Sequence, residues 1–547
     1  MWSVSTWVRA GLLFLLAIGI RLAFVHATID SVWPYSVGFE GDAIVYWNQA
    51  HALINGLPVE HGLPLRPPGT GYVMSWLWDG NPNIEGTGFL RLFWIALGAS
   101  VAPVLYLTGR GALGDRIATI AGAFTALATG PLLLSATLCS ETPYLVLATA
   151  TAGLLASVRR TWHAAVWAVL CGVACLFRSE HLAHFGLGVV WLLWRKTVDW
   201  KAAALLVAAF VTPLVPWQVK VWQSVTDLNE TVRITPRYTM GWTAEAKARI
   251  DKLPAFARAS SVAMIQDAAK LRGAARVDIS HLDILEQAFD YTPERLPRMP
   301  FVSVYGPMNF YLANDPTSHG KFSRDALFAK PPLHGGAEKF PQGLRESLPT
   351  DLSLSYPPHI RILEHGYGMR LRAMFDDPLS WLRLVGQKLA GAWAGAAHGL
   401  GGYAFPLGLS GTRDPVDLVV PGGSGAIAWQ LLWLALAAGG IAFGWRKPGV
   451  QAWLLMGLGR LAVIVLFFGY ARQGALLAPT LGVLLGVVLD RVWSRGVAIG
   501  ALLAVLGLCT AELIRFRSAP QLWIDDTQIT TTDPFALKYE RRAIHYR

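Results

Sequence analysis

Charged residues and cysteines are both scarce in this chain, and each scarcity argues against a class of protein or site. Only 15% of the 547 residues are charged, whereas a soluble domain carries about 25%. The cysteines have no His or Cys partner at metal-binding spacing and lie in or beside apolar runs. The sequence shows no internal repeat and no low-complexity tract. These absences argue against a soluble enzyme and against a metal site built on cysteines. The cysteines are Cys139, Cys171, Cys175 and Cys509.

Long apolar runs take the place of charge along most of the chain. Hydrophobic residues make up 53% of the sequence, and its 23 tryptophans fit a membrane protein because Trp favours the membrane interface. The sequence predicts an all-α polytopic membrane protein with about 11 transmembrane helices. The first run is long enough to span, although Val25-His26-Ala27 weakly resembles a signal-peptide cleavage site. The predicted spans are 7–27, 88–108, 117–138, 142–157, 164–177, 182–194, 202–219, 426–444, 450–469, 474–489 and 496–514.

Basic turns between the spans set the predicted orientation. With a cytoplasmic N-terminus, all of these turns fall on the cytoplasmic side, as the positive-inside rule requires. We therefore interpret the net charge of +11 as a determinant of topology and not as a sign of nucleic-acid binding. The first outer loop, the long segment 222–424 and the C-terminal tail then lie outside the cytoplasm. The basic turns hold Arg110 with Arg116, Arg159 with Arg160, Arg195 with Lys196, Arg446 with Lys447, and Arg491 with Arg495.

Composition divides the chain into five predicted regions. They are an N-terminal transmembrane catalytic module at 1–222 with its first outer loop at 27–87, an extracytoplasmic loop domain at 223–379, an amphipathic interfacial helix and loop at 380–424, C-terminal transmembrane helices at 425–514, and an extracytoplasmic tail at 515–547. The interfacial helix is predicted to turn its apolar residues to lipid and its basic residues to headgroups. The apolar set is Trp381, Leu384, Val385, Leu389 and Trp393, and the basic set is Arg383 and Lys388.

Ionisable residues gather at the outer ends of the predicted spans, where they are costly to desolvate and are candidates for function. All of them lie on one side of the membrane under a topology derived from other residues. Arginines bind phosphate through bidentate hydrogen bonds, and a carboxylate can act as general base on a hydroxyl nucleophile. The alternative for each residue alone is a solvated loop position or a headgroup contact. The groups are Glu40 with Asp42, Arg66, Glu141, Arg178 with Glu180 and His181, and Arg472.

Seven short motifs follow one another along the chain. They are Asp42-Ala43-Ile44-Val45-Tyr46 with Ala50, Arg66-Pro67-Pro68-Gly69, Ser140-Glu141-Thr142, Phe177-Arg178-Ser179-Glu180, Pro216-Trp217, the run from Asn309 to Pro316 with Gly320, and Tyr470-Ala471-Arg472 with Pro479. In this order they resemble motifs of the GT-C class of polyprenyl-phosphate-sugar-dependent glycosyltransferases. The resemblance is to the protein O-mannosyltransferase-like branch, which includes the aminoarabinose transferases of lipid A. It implies a GT-C fold with a large extracytoplasmic loop region.

The resemblance also implies roles for individual residues. Asp42 is expected to be the general base or to orient the acceptor, and Glu141 to be a second acid that orients the acceptor or helps hold a metal. Arg66, Arg178 and Arg472 are expected to contact the donor phosphate. Tyr46 and Glu40 are the predicted substrate-binding residues. Many protein mannosyltransferases carry adjacent Asp and Glu in this loop, whereas here Gly41 separates Glu40 from Asp42, which weakens the case for a protein acceptor.

A metal is left open by the sequence. His51 and His61 are candidate ligands together with Asp42, but their spacing matches no standard site. A divalent metal is therefore a possible cofactor, and no other cofactor is indicated.

The resemblance implies an inverting transferase of the cell membrane, with its active site outside the cytoplasm. It would move a sugar from a polyprenyl-phosphate carrier to a glycan, lipid or protein acceptor. Two alternatives stay open, a flippase or transporter of a lipid-linked sugar, and an assembly protein that binds polyprenyl lipid without catalysis. Transporters tend to place ionisable groups near the bilayer midplane and to show internal repeats, neither of which the sequence indicates.

Overall fold

A computed structural model describes residues 4–32, 42–57, 65–78, 88–234, 238–253, 272–282, 300–320, 357–397 and 424–492, with a few single positions and pairs besides. Nearly all elements in these ranges are helices, which confirms the all-α prediction. The helices are α1 (Val4–Val32), α2 (Ala43–Ile54), α3 (Gly69–Leu77), α4 (Gly88–Leu113), α5 (Asp115–Leu127), α6 (Thr129–Ala136), α7 (Glu141–Ser157), α8 (Thr161–Phe177), α9 (Leu182–Trp194), α10 (Trp200–Val211), α11 (Val215–Ile234), α12 (Ala244–Ile250), α13 (Gly306–Ala313), α14 (Pro357–Asp376), α15 (Pro378–Ala396), α16 (Ser424–Gly444), α17 (Pro448–Leu466), α18 (Ala471–Ala475) and α19 (Ala478–Arg491). Strands β1 (Gly241–Trp242) and β2 (Arg276–Val277) pair in parallel.

The chain separates into two compact units. The first unit consists of Met1–Val59, Pro67–Val215 and Val385–Leu537, and the second of Glu60–Arg66, Pro216–Leu384 and Lys538–Arg547. The finer division into five regions stays a prediction. Glu40, His61, the tail 515–547 and nearly all of the predicted span 496–514 lie outside the described residues.

Apolar helices pack closely in the core of the first unit. α4 contacts α5 and α7, and α19 contacts α5. Trp94 and Trp453 are completely buried there. Glycines permit the close approach, since a Cβ at Gly98 would overlap the side chain of Ser135 and one at Gly153 would overlap Thr108. Small residues at helix contacts are typical of membrane bundles, in which packing rather than water exclusion holds helices together.

Apolar side chains also cover the outside of the first unit. Leu15 of α1 and Leu205 of α10 are each 64% exposed, and Trp194 at the end of α9 is 71% exposed. Among the described residues, Val4–Ala23, Phe89–Leu113, Trp200–Asp227 and Pro448–Leu466 are long and apolar enough to cross a membrane. The chain is therefore a polytopic membrane protein. The number of spans, about 11 from the apolar runs, stays a prediction.

The predicted span 117–138 is a bent pair of helices. α5 and α6 meet at an angle of 51°. Ala128 between them has an extended backbone (φ −63°, ψ 129°), which ends α5. Pro131 is tolerated because it lies in the first turn of α6, where its missing N–H would have no partner inside the helix. The run 117–138 is apolar throughout, so hydropathy does not reveal the bend. The sequence feature that indicates it is Pro131, which favours the start of a helix over its middle.

The predicted interfacial helix is α15, but its basic residues do not behave alike. Lys388 is completely buried, and its Nζ donates to Val465 O at 3.0 Å, in the last turn of α17. Burial lowers the pKa of Lys388 to about 7. The prediction that Lys388 faces lipid headgroups is therefore wrong, as is that of a lipid-facing Leu384, which is 3% exposed. The last carbonyls of a helix need donors from elsewhere, and Lys388 supplies one.

Two local structures organise part of the second unit. Val302 has a φ of 61°, which is strained for a β-branched residue. Trp217 Nε1 donates to Val302 O at 2.7 Å, and Val302 N donates to Gln218 Oε1 at 3.2 Å. The Trp of the Pro216-Trp217 motif thus helps hold a strained turn in place.

The second local structure is an ion pair between α14 and the end of α13. Arg370 of α14 pairs with Asp315, and its Nε donates to Tyr311 O at 3.1 Å. The same guanidinium lies over the ring of Tyr311, 4.2 Å from the centroid. The contact ties the Asn309–Pro316 motif to α14.

Candidate active site

Four of the predicted site residues meet in the first unit, and each lies at a helix end. Asp42 immediately precedes α2, and Glu141 is the first residue of α7. Arg178 follows α8 with an extended backbone, and Arg472 is the second residue of α18. These helix ends meet in one place, so residues far apart in sequence are in contact here. The charged cluster, as we call it below, comprises Asp42, Glu141, Arg178, Glu180, Arg460 and Arg472.

Arg472 bridges two carboxylates of the charged cluster. Its NH2 donates to Asp42 Oδ2 at 2.8 Å, and its Nε lies 3.2 Å from Glu141 Oε1. NH2 also donates to the Tyr470 hydroxyl at 3.2 Å, and the guanidinium lies 5.6 Å from the centre of that ring. Arg472 is 6% exposed, whereas the Asp42 side chain is 37% exposed. Asp42 is therefore the solvent-accessible end of this arrangement.

Arg178 connects Glu141 to a second acid. Its NH1 donates to Glu141 Oε1 at 2.6 Å, and its Nε donates to Glu180 Oε1 at 2.6 Å. Arg460 of α17 donates from NH1 to the same Glu180 oxygen at 2.7 Å. The order of charges is then Asp42, Arg472, Glu141, Arg178, Glu180 and Arg460, with the sign alternating at each step. Because acids and arginines are equal in number, the charged cluster is neutral as a whole.

The arginines hold the buried acids in their ionised form. Burial alone would raise the pKa of Glu141, but Arg472 and Arg178 outweigh it and leave that pKa below its usual value. Burial also opposes ionisation of Glu180, yet Arg178 and Arg460 lower its pKa to about 2. Neither acid is suited to donate a proton near neutral pH. Both serve to fix the arginines in position.

The remaining predicted site residues have other surroundings. Arg66 belongs to the second unit, where its guanidinium lies 5.3 Å from the centre of the Tyr305 ring. Tyr46 is 5% exposed and packs in an apolar cluster with Met74 and Trp94, so its predicted substrate contact stays a prediction. Glu40 lies outside the described residues.

Sequence reasoning missed Arg460 as a member of the charged cluster. The residue lies in the middle of the predicted span 450–469 and is 5% exposed. An arginine within an apolar span is costly unless it faces the protein interior, and that was the available signal. His181 is also buried, between the Thr151 hydroxyl at 3.2 Å and the Tyr144 hydroxyl at 3.3 Å. Burial lowers the pKa of His181 well below its usual value, so it is neutral at physiological pH.

The described acids do not make a metal site. No group of three His, Cys, Asp or Glu side chains with suitable geometry occurs among the described residues. Asp42 Oδ2 and Glu141 Oε1 both face the guanidinium of Arg472, which opposes a cation at that position. His51 lies 6.1 Å from Trp78, ring centre to ring centre. The described residues offer no further ligands with which Glu141 could hold a metal, as had been predicted for it.

Comparison with known proteins finds matches at low identity among solved structures. No family model and no curated protein matches the chain. The oligosaccharyltransferase of Archaeoglobus fulgidus in the apo form is 12% identical, with a TM-score of 0.42, over 98% of this chain and 59% of that one. ArnT from Cupriavidus metallidurans bound to undecaprenyl phosphate is 15% identical, with a TM-score of 0.32, over 89% and 79%. The chain spans 59% of the archaeal chain's length.

Proposed function

We propose that this chain is an integral-membrane glycosyltransferase. It moves a sugar from a polyprenyl-phosphate carrier to an acceptor outside the cytoplasm and inverts the anomeric centre. The observation that carries the proposal is the accessible carboxylate of Asp42, held by Arg472 at the exposed end of a buried charged cluster. The ordered motifs support the same proposal, because Asp42, Glu141, Arg178 and Arg472 all belong to motifs that resemble those of GT-C transferases.

Asp42 is the proposed general base. Its carboxylate accepts the proton of the acceptor hydroxyl as that oxygen bonds to the anomeric carbon of the sugar. The bond from that carbon to the phosphate oxygen breaks, and its electron pair stays on the phosphate. Attack from the face opposite the leaving phosphate inverts the centre. Arg472 orients the Asp42 carboxylate by its hydrogen bond to Oδ2.

The arginines are the proposed stabilisers of the departing phosphate. The charge that develops on the leaving oxygen is best stabilised by donors fixed beforehand, since these need not reorganise during the reaction. Arg472 and Arg178 are fixed in this way by Glu141 and Glu180. Because the acids already balance the arginines, the site binds phosphate through directed N–H groups more than through surplus charge. Arg66 is a further candidate for the donor phosphate.

Two alternative functions make different demands on the charged cluster. A flippase would carry the lipid-linked sugar across the membrane without cleaving it, and an assembly protein would only bind it. Neither requires a carboxylate with solvent access next to an arginine. The position of Asp42, Glu141, Arg178 and Arg472 at helix ends favours the transferase over the transporter, whose ionisable groups tend to lie at the midplane.

The test is turnover of a purified lipid donor. The protein in detergent or nanodiscs is incubated with polyprenyl-phosphate-linked sugars and a delipidated envelope extract, and release of free polyprenyl phosphate is measured. Asp42→Asn is expected to lower kcat by about 10²–10⁴-fold, the usual contribution of a general base. Asp490→Asn is the matched control, because Asp490 is a partly exposed partner of Arg116 outside the cluster.

Three outcomes would contradict parts of the proposal. If Asp42→Asn turns over the donor at the wild-type rate, Asp42 is not the base. If the wild type moves donor between leaflets but never cleaves it, the chain is a transporter. If it binds donor and does neither, the assembly role is correct. Repeating the assay with and without EDTA decides whether a divalent metal is required, and mass spectrometry of the product identifies sugar and acceptor.

A further inference from the structure

Gln473 joins the two central arginines of the charged cluster by a second route. Its Oε1 accepts a hydrogen bond from Arg178 NH2 at 3.3 Å, and its Nε2 donates to the Tyr470 hydroxyl at 3.0 Å. That hydroxyl also accepts from Arg472 NH2 at 3.2 Å, and both arginines pair with Glu141 Oε1. These five side chains form a closed circuit of contacts, which we name the Gln473 ring. Gln473 is buried, so bulk water does not compete for its hydrogen bonds.

The direction of each hydrogen bond that Gln473 makes is fixed by the chemistry of its partners. An arginine can only donate, so the Gln473 atom beside Arg178 is the amide oxygen and the atom beside Tyr470 is the amide nitrogen. The Tyr470 hydroxyl then accepts from Gln473 and from Arg472, which occupies both of its lone pairs. No described residue accepts the Tyr470 proton, which therefore points out of the Gln473 ring. Position 473 thus needs a side chain that accepts at one end and donates at the other, as an amide does and a carboxylate does not.

The charge of the cluster depends on this amide being neutral. Acids and arginines are equal in number in the charged cluster, so a carboxylate at position 473 would make it negative as a whole. Such a carboxylate would still accept from Arg178, and more strongly, because hydrogen bonds between charged groups are the stronger kind. It would also repel a phosphate. A purely structural link would therefore be served at least as well by an acid, whereas the amide holds the arginines without reducing their attraction for an anion.

We infer that Gln473 is a positioning residue of the proposed transferase. It holds Arg178 and Arg472 in the geometry in which they stabilise the departing phosphate, and it adds no negative charge beside that phosphate. Gln473 does not contact the substrate itself. It acts on Arg178 directly and on Arg472 through Tyr470. This role rests on the proposed function, because it requires that the arginines act on a leaving phosphate.

Gln473→Glu is the main test, because it replaces one amide nitrogen by an oxygen at nearly constant size. The full chain in nanodiscs is incubated with purified polyprenyl-phosphate-linked sugars and a delipidated envelope extract, and release of free polyprenyl phosphate is measured. We expect a Tm near that of the wild type, since Arg178 and Tyr470 can both donate to the new carboxylate. We expect kcat to fall by about 10²–10³-fold, as when one donor to a developing negative charge is removed. The rise in KM should be smaller, because the charge on the leaving oxygen develops in the transition state.

Gln451→Glu is the matched control for the added charge. Gln451 is a glutamine of the same unit, and its Oε1 accepts from Trp191 Nε1 at 3.1 Å, outside the charged cluster. This variant is expected to keep the wild-type kcat.

Two further variants keep the test valid if Gln473→Glu fails to fold. Gln473→Met and Tyr470→Phe each interrupt the Gln473 ring without burying a new charge. Each is expected to lower kcat per folded molecule on the order of tenfold, because catalysis depends on the placement of the reacting groups. The double variant should lose no more than the larger single loss, since the ring is already interrupted, whereas independent effects would multiply.

The outcomes distinguish the role of Gln473 from the proposed function. A loss of kcat in Gln473→Glu at unchanged Tm, with Gln451→Glu active, confirms the role. A wild-type kcat in Gln473→Glu or Gln473→Met overturns it and leaves the proposed function intact. A loss of turnover that only follows the folded fraction also overturns it, since that is a structural effect. A wild type that never cleaves the donor overturns the proposed function, and the role of Gln473 with it.

Discussion

The two units each contain buried arginines paired with carboxylates, but the pairs are built differently. In the second unit Arg370 pairs with one acid, Asp315, and donates to a backbone carbonyl, so its contacts stay local to α13 and α14. In the first unit Arg178 and Arg472 share the single oxygen Glu141 Oε1 and extend to Glu180 and Asp42. Local pairing is sufficient to join two helices. An acid shared by two arginines fixes several side chains from distant segments in one geometry. A catalytic site requires such a fixed geometry.

Replacing Glu141 is expected to have the largest combined effect on stability and activity. Glu141→Gln leaves Arg178 and Arg472 buried without their common acid, and breaking a buried ion pair costs about 3–5 kcal/mol. We expect a lower Tm and loss of donor turnover even at temperatures where the variant is folded. The measurements are thermal unfolding in detergent and the donor-cleavage assay at a temperature below the variant's Tm.

Asp315→Asn is the matched control for the contrast between the units. It disrupts an arginine pair of the same type and is expected to cost about 1–3 kcal/mol, because Asp315 is less buried than Glu141. Its turnover per folded molecule should stay near that of the wild type. If both variants lose turnover equally, the sharing of Glu141 by Arg178 and Arg472 has no particular role in catalysis.

The sequence predicted the members of this cluster better than its connections. Asp42, Glu141, Arg178 and Arg472 follow from motifs and from their common side of the membrane, and the structure brings these four together. Arg460 was missed because it lies in an apolar helix, which has no polar face from which its inner side can be recognised. Lys388 was misplaced because an amphipathic pattern does not distinguish a basic residue at the headgroups from one that pairs with another helix. Burial of a lone charge in such a helix depends on its partners in other helices, Glu180 for Arg460 and Val465 O for Lys388.

Low pH is expected to weaken the charged cluster at its buried end, where Glu180 lies. Arg178 and Arg460 lower the pKa of Glu180 to about 2, against 4.5 ordinarily. Because the pKa of Glu180 is lower in the folded state, its ion pairs stabilise the folded protein fully above pH 4.5. This contribution to the free energy of unfolding is lost as pH falls towards 2. The loss is on the order of 3 kcal/mol, from 1.36 kcal/mol for each pKa unit.

Glu180→Gln separates this contribution from general acid denaturation. The variant is expected to be less stable than the wild type at pH 6 and to show a shallower fall in Tm between pH 5 and 3, since it cannot gain the proton. Parallel curves for variant and wild type would mean that Glu180 does not titrate in this window. The experiment also tests the contrast with the second unit, because Asp315→Asn should leave the part of the curve due to Glu180 unchanged.

The smallest expected effect concerns the backbone that carries Arg472. Gly474 of α18 lies against α15, where a Cβ would overlap Ala392 O, and a Cβ at Gly395 would overlap Ala471 O. Gly474→Ala must therefore displace α18 and with it Arg472, at a cost of about 1–3 kcal/mol typical of overpacking. We expect donor turnover to fall more than stability does, because the hydrogen bond from Arg472 to Asp42 depends on position. Gly368→Ala in α14, where nothing lies within 4 Å of the added Cβ, is the control. If turnover in Gly474→Ala falls only in proportion to the folded fraction, the position of α18 does not affect catalysis. The functional difference between the local pair of the second unit and the shared pairs of the first would then come from their charges alone.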